Sequence, residues 1–322
     1  MASDGRRAGA LRPVFPRSAS QLRSPPGYRT RLRPRKNSNP VGGRLKKSKR
    51  LMVLAIAATA PACWSLARAG APPPQCSGPS ALLSLLDRPT VGDSSCVVPE
   101  GMTVIEAGAT AGNIYGTPGG QIDTLPNLEL RWGLPGNSEL VWLPPDYQYQ
   151  SLNAGPQGAA QTIQGFGPTT IGIKHSLGYT EHWQWTAEAL ATLPSGDNTF
   201  GSHGVGGALN GIVSYGNGPI GVSLMLGVTS QTEPTAVGGQ RFQSVNPDLV
   251  VTWAATSRLQ FYGEVYGQTS AGYGLGWGSD FDGGLQYLVD PDFEVDLEEG
   301  VRLQGQLGGF SSYTGVGLGL LL

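Results

Sequence analysis

Few residues of this 322-residue chain have the type and spacing that catalysis or metal binding requires. The three histidines are His175, His182 and His203, and no HExxH, GxSxG or CxxC motif occurs in the chain. Serines and aspartates are frequent enough to supply a Ser-His-Asp triad, but no spacing in the sequence favours one. We therefore predict no catalytic residue, no cofactor and no metal site, and a hydrolase is the least favoured alternative.

One acidic run could still bind a cation. Asp290, Asp292, Glu294, Asp296 and Glu298 occur at every second position. In a strand this spacing places all five carboxylates on one face, where they could hold calcium at a rim. Carboxylates in such a row more often line a solvated interior, and we expect that role here.

The elements that must position these residues are strands, because apolar residues recur with a period of two from Met102 onwards. About twelve segments show this pattern: 102–111, 121–133, 138–150, 165–179, 181–194, 202–216, 219–230, 245–256, 258–269, 278–290, 292–305 and 309–322. Many have about 10–14 residues, the length that crosses a membrane, whereas strands of soluble proteins average about 5–6. Short connections alternate with long polar ones such as 151–164 and 231–244. Together these features predict an all-β, antiparallel transmembrane β-barrel of about twelve strands.

The two faces of these strands require different solvents. One face carries Leu, Val, Ile, Trp and Ala, and the other carries Gly, Gln and charged residues. A closed barrel in lipid satisfies this alternation, because its lumen can be polar and all backbone groups are paired. A soluble sandwich or barrel is the alternative. The residues expected to line the lumen are Glu129, Arg131, Lys174, Glu188, Glu264, Asp282, Glu294 and Asp296.

An export signal precedes this region. Basic residues at 44–50 run into an apolar stretch at 51–60, which is too short to span a bilayer. Ala67-Arg68-Ala69 fits a small-x-small cleavage site, so we expect the mature protein to begin near Gly70. A retained anchor and a lipoprotein at Cys63 are less favoured. Residues 1–50 are then a basic, Pro- and Arg-rich extension, and residues 51–69 complete the signal peptide.

The charge of the chain divides at the same place. Residues 1–69 hold sixteen of the 22 basic residues and one of the 23 acidic residues. Residues 70–322 therefore keep six basic and 22 acidic residues, a formal net charge of −16. A protein with so acidic a mature region and no basic patch is not expected to bind nucleic acid.

Two cysteines, Cys76 and Cys96, remain after the predicted cleavage. An even number of cysteines in an exported protein favours a disulfide, and a loop of this length would stabilise the fold by about 3 kcal/mol. Ser80–Arg88 can form a short amphipathic helix inside that loop. We expect a stapled N-terminal segment at 70–100, which either plugs the lumen or lies in the periplasm, followed by the barrel at 101–322.

Five segments carry a family resemblance. Gln121–Leu134 is similar to a P-x-L-E-x-R-x-G-L strand, Gly167–Lys174 to a G-x-D-x-x-x-G-x-K strand with Thr in place of Asp, and Leu193–Gly196 to an L-P-T-G exit. Tyr262–Glu264 and Asp282–Leu288 resemble two late strands of the same family. In this order they resemble the outer-membrane family named for the meta-pathway of phenol degradation.

The resemblance implies a barrel in the bacterial outer membrane that passes small, including aromatic, compounds. Its expected partners are outer-membrane lipid, lipopolysaccharide, the barrel assembly machinery and a small-molecule solute. Since acids outnumber bases on the polar face, we expect a mild cation preference. The alternative is a non-transporting surface or structural barrel that acts through its long loops.

Overall fold

The computed structural model describes residues 73–155 and 158–322. The extension, the signal peptide and the cleavage site predicted for residues 1–70 lie outside the described residues. No helix in the described part of the chain is long and apolar enough to cross a membrane.

One antiparallel sheet contains all fourteen strands of the described residues. They are β1 (Thr103–Ile114), β2 (Gly120–Leu134), β3 (Ser138–Leu143), β4 (Tyr147–Leu152), β5 (Gln161–Phe166), β6 (Thr170–Tyr179), β7 (Trp183–Thr192), β8 (Gly206–Asn217), β9 (Ile220–Thr232), β10 (Arg241–Ala254), β11 (Leu259–Gln268), β12 (Gly278–Asp290), β13 (Phe293–Gln304) and β14 (Phe310–Leu321). The sheet closes on itself because β1 pairs with both β2 and β14.

Twelve positions around the ring, here called staves, accommodate these fourteen strands. β3 pairs with the second half of β2 and β4 with its first half, so β3 and β4 form one stave that is interrupted at 144–146. β5 and β6 likewise form one stave, because β5 pairs with β4 and β6 with β3. Prolines, which cannot donate to a ladder, lie at both interruptions. The prediction of a barrel of about twelve strands is confirmed.

Alternation along each strand gives the wall an apolar outside and a polar inside. On β9, Leu224 and Leu226 are 53% and 55% exposed, whereas Met225 between them is buried. On β13 the buried side chains are charged: Glu294, Asp296 and Glu298 face inwards, whereas Leu297 is exposed on the outside. Apolar side chains that face outwards around charged ones that face inwards are the arrangement of a barrel in lipid.

Two local expectations were wrong. The segment 151–164 is less of a loop than its polarity indicates, because it contains the end of β4 and most of β5. β10 begins at Arg241, so the loop expected at 231–244 is shorter as well. Glu299 is an exception to the apolar outer face: it is exposed on β13, where Thr314 Oγ1 donates to its carboxylate at 2.7 Å.

The N-terminal segment at 73–100, hereafter the plug, contains a single turn of 3₁₀ helix (Pro74–Cys76) and a short helix, α1 (Ala81–Leu85). The predicted disulfide between Cys76 and Cys96 is present. It closes a loop that holds α1. Leucines of α1 and its C-terminal neighbour form an apolar cluster with both cysteines, Val98 and the wall residues Val104 and Leu288.

An arginine placed on the outer face tests the assignment of the two faces. Leu226→Arg lies near the middle of β9, where a charge in the hydrocarbon should lower the free energy of unfolding by about 2–4 kcal/mol. Ile220→Arg, at the end of the same strand, should lower it by about 0–1 kcal/mol. Both values are measured by denaturant titration of protein refolded into lipid bilayers. Equal effects at the two positions would contradict the proposed depth and orientation of β9.

Candidate functional site

The plug lies inside the barrel. Its side chains and backbone hydrogen bond to wall residues from β1, β2, β3, β6, β7, β11, β12 and β13. These strands are distributed around most of the ring, and one short segment can reach all of them only from the lumen.

Asp87, directly after the apolar residues of α1, is the most strongly bound group of the plug. Its carboxylate accepts hydrogen bonds from Lys174 Nζ at 2.9 Å and lies 3.2 Å from the Arg131 guanidinium. The backbone amide of Ser94 donates to the same carboxylate at 2.7 Å. Burial opposes ionisation, but the two cations outweigh it together and lower the pKa of Asp87. Asp87 therefore remains charged inside the barrel.

Arg131 joins the plug to two further carboxylates of the wall. Its guanidinium lies 2.7 Å from Glu106 and 3.2 Å from Glu139, and it also donates to the backbone oxygen of Leu85. Lys174 approaches Glu139 at 3.4 Å. All of these side chains are buried. We call this set (Asp87, Glu106, Arg131, Glu139 and Lys174) the ionic cluster.

Arg88 extends from the plug in the other direction. Its guanidinium donates to Asp296 at 3.0 Å and to Glu298 at 3.3 Å, both on β13. Burial opposes its charge, but these carboxylates outweigh that effect and raise the pKa of Arg88. Glycines at 108 and 317 make the approach possible, since a Cβ at either position would lie within 2.4 Å of the Arg88 side chain.

Carboxylates of the wall also bind the plug backbone. Glu106 accepts the amides of Asp87 and Arg88 at 3.2 and 2.6 Å. Glu264 accepts those of Val91 and Gly92, the latter at 2.7 Å. Glu139 accepts the amide of Val98, and Gln184 and Thr186 donate to the backbone oxygen of Ser95. Charge-assisted bonds of this kind satisfy backbone groups that no strand ladder pairs.

The plug separates two spaces. A chamber of about 830 Å³ lies between the plug and the short turns, and Gln75, Ser84 and Tyr215 are among the residues that line it. A smaller cavity of about 120 Å³ lies towards the long loops, against Val91 of the plug and Phe310 of the wall. A solute that crosses the lumen along its axis must therefore displace the plug or pass through the gaps beside it.

One cluster has the residue types of a metal site. Carboxylate oxygens of Asp87, Glu106 and Glu129 lie within 4.8 Å of one another. The Arg131 guanidinium already contacts all three side chains. The positive charge at this cluster is therefore supplied by the Arg131 guanidinium, and the three carboxylates act as its ion-pair partners.

The eight residues predicted to line the lumen are all buried among the described residues. Arg131, Lys174, Glu264 and Asp296 contact the plug, as described above. Glu188 accepts a hydrogen bond from Asn210, Glu129 lies 3.8 Å from Arg131, and Asp282 accepts one from Tyr313. Both carboxylate oxygens of Glu294 lack a hydrogen-bond partner.

Four charged members of the site were not singled out from the sequence. Glu106 and Glu139 follow the alternation of their strands and could have been found from it. Asp87 and Arg88 interrupt an apolar run, which marks them as unusual but indicates no partner. The three histidines do not converge: His175 contacts Ser138, His182 contacts the Gly216 carbonyl and His203 contacts Thr235.

Comparisons with known proteins identify a family and a fold. The model of a family described as "Putative MetA-pathway of phenol degradation" matches residues 86–311. The COG4313 outer membrane channel from Pseudomonas putida F1 aligns with a TM-score of 0.55 at 12% identity, over 71% of this chain and 98% of its own. The NanC and KdgM porins give TM-scores of 0.42 and 0.43 at 14% and 9% identity, over 68% and 67% of this chain and 98% of theirs. No curated protein matches the sequence. The COG4313 likeness shows a common fold.

Two aspartates of the plug should respond differently to the same substitution. Asp87→Asn leaves Lys174 and Arg131 without one buried partner, and breaking such a pair costs about 3–5 kcal/mol. We therefore expect cleavage of the plug by an added protease to accelerate strongly. Asp93 is the matched control: burial, then the neighbouring Glu188 and Asp87 carboxylates, raise its pKa well above the usual range. Asp93→Asn resembles the protonated form and should change cleavage little, so equal cleavage of the two variants would contradict this account.

Proposed function

The chain belongs to the family described as "Putative MetA-pathway of phenol degradation", and on that premise we propose that it is an outer-membrane channel for small solutes whose plug controls passage. The observation that carries the proposal is the kind of contact that holds the plug. Around Asp87 and Arg88 the plug meets the wall through ion pairs and hydrogen bonds. Water can replace such contacts, so the polar inner wall would remain stable if the plug moved aside.

The charges of the inner wall favour cations as solutes. The eight lumen residues proposed from the sequence are six carboxylates and two bases, and both bases are engaged by Asp87. A pore with this excess of acidic groups attracts cations and repels anions. This role is passage, without a catalytic step or a cofactor.

The cell-biological part of the proposal follows from this role. The chain would be exported by a signal peptide that is cleaved near Ala69 and Gly70, and inserted by the barrel assembly machinery. It would contact outer-membrane lipid and lipopolysaccharide through its apolar outer face. The solute would be a small compound, and an aromatic one fits the name of the family.

A covalent lock of the plug tests the proposal directly. A Cβ built on Gly92 would lie 2.8 Å from the Asp248 Cγ on β10, close to the Cβ-to-sulfur distance across a disulfide. Gly92→Cys combined with Asp248→Cys should therefore join the plug to the wall. We expect planar-bilayer recordings of the oxidised double variant to show at least about tenfold fewer opening events than the wild type.

The controls are the two single-cysteine variants, which cannot form the new bond, so their conductance should not change with oxidant or reductant. A reductant should restore conductance to the double variant. If the locked protein conducts normally, solutes do not depend on movement of the plug. If no form conducts, the barrel is a non-transporting surface or structural protein.

Ion selectivity gives a second test. In a KCl gradient, the reversal potential of the wild-type channel should show a mild preference for K⁺. Glu264→Gln combined with Asp282→Gln removes two inner carboxylates and should shift the reversal potential towards zero, because the wall then repels anions less. Anion selectivity of the wild type would contradict the proposed role of the acidic wall.

A further inference from the structure

The cavity on the loop side of the plug is lined by carboxylate, amide, hydroxyl and apolar side chains. Its volume is about 120 Å³. A single buried water requires roughly 10–15 Å³, so the space is well above the size of one water. That is enough for an organic molecule of several non-hydrogen atoms.

One side of the cavity is a row of three residues on neighbouring strands. Tyr266 of β11 lies directly between Asp248 of β10 and Asp280 of β12, since the sheet pairs it with both. Adjacent strands are about 4.8 Å apart, so the two aspartates flank the tyrosine with Cα atoms roughly 10 Å apart. All three residues line the cavity and are buried.

The two carboxylates of this row have three unpartnered oxygens between them. Asp280 has no measurable exposure, and neither of its oxygens has a hydrogen-bond partner. Asp248 is 4% exposed, and its Oδ2 also lacks a partner. A buried carboxylate without a donor is costly, because it has lost its water and gained no hydrogen bond in return.

The neighbouring bases are engaged elsewhere. Arg302 pairs with Asp280 across the strands, but its Nη1 donates to the Gly305 carbonyl at 3.0 Å and its guanidinium stacks on Tyr115 at 3.7 Å. Arg88 binds Asp296 and Glu298. Neither base donates a hydrogen bond to Asp280, so the row presents unpartnered carboxylate oxygens to the cavity.

The rest of the lining suits an apolar body. Val91 of the plug and Ile122, Met225, Leu307 and Phe310 of the wall contribute aliphatic and aromatic surface. Phe310 packs edge-on against Tyr313, with ring centroids 4.8 Å apart. Aromatic faces attract organic cations as well as apolar groups.

From these observations we infer that the cavity is a binding site for an organic ammonium ion, a primary amine with a small apolar or aromatic body. The ammonium group would donate to Asp280 or Asp248 beside Tyr266, and its body would lie against Phe310 and the aliphatic side chains. The inference names a solute class for the proposed channel and therefore rests on the proposed function.

Two other ligands fit less well. A calcium ion takes 6–8 oxygen ligands at 2.3–2.6 Å, and among the described residues only Asp87, Glu106 and Glu129 bring three carboxylate oxygens within 4.8 Å of one another. A neutral aromatic alcohol could fill the space and donate one hydrogen bond. It would bring no positive charge to the carboxylates of the row.

The test is isothermal titration calorimetry of the full chain in detergent at neutral pH, with benzylamine as the probe. Benzyl alcohol, of nearly the same shape but neutral, and benzoate, of opposite charge, are the comparison ligands. We expect saturable binding of benzylamine, at least about tenfold weaker binding of benzyl alcohol and no binding of benzoate. Benzyl alcohol that binds as tightly as benzylamine, or benzylamine that does not bind, would overturn the inference.

Variants show whether the cavity is the site. Asp280→Asn and Asp248→Asn keep the side-chain shape, and each should weaken benzylamine binding by roughly tenfold or more. Glu294→Gln is the matched control: Glu294 is also buried and unpartnered, but it lies eight residues from Arg302 along β13, or about 26 Å from the level of the row. Equal weakening by Glu294→Gln would show that only the general charge of the wall attracts the amine.

Conductance of the same preparations separates this inference from the proposed function. If the wild-type protein conducts ions but does not bind benzylamine, the amine site is wrong and the channel stands. If benzylamine binds as expected but no preparation conducts, the site stands as a binding cavity and the channel is wrong.

Discussion

The requirement that buried charges be compensated organises the interior of this barrel. Arg131 and Lys174 extend inwards from β2 and β6 and are completely buried. Neither could remain charged there without carboxylates, and Asp87 of the plug provides one to both. The position of the plug is thus fixed by the wall, and Asp87 shares the compensation of both bases with wall carboxylates such as Glu139.

Other features of the chain serve this pairing. The disulfide between Cys76 and Cys96 closes the plug into a loop, which limits the conformations that its short helix and charged pair can adopt. Glycines at 108 and 317 leave room for the Arg88 guanidinium beside the wall. The compensation is uneven, because the plug directs Asp87 towards the basic side of the lumen and only Arg88 towards the acidic side. Asp280 and Glu294 on the acidic side have no hydrogen-bond partner, and this imbalance underlies both the proposed cation preference and the amine site.

The sequence alone predicts the strands of the barrel wall better than the contacts of the functional site. The alternation of apolar and polar residues predicts twelve staves and the direction of most side chains. One face of each strand must be apolar because it contacts lipid, whereas the other faces a polar lumen. This alternation does not reveal the breaks at Pro144 and Pro168. After each break the chain continues in the same stave, so the sequence reads as one long strand. Nor does it pair Asp87 with Lys174, which lies 87 residues further along the chain. That contact depends on how the barrel closes and where the plug enters it, and no local pattern records either.

Hydrogen exchange of the plug in the lipid-embedded, full-length protein tests the central claim most directly. The amides of Asp87, Arg88, Val91, Gly92 and Val98 all donate to wall carboxylates. If the plug is held in the lumen as described, mass spectrometry of peptides spanning 85–98 should show exchange nearly as slow as that of the barrel strands. Exchange at the rate of an unstructured peptide, while the strands remain protected, would show that the plug does not occupy the lumen and would contradict the account.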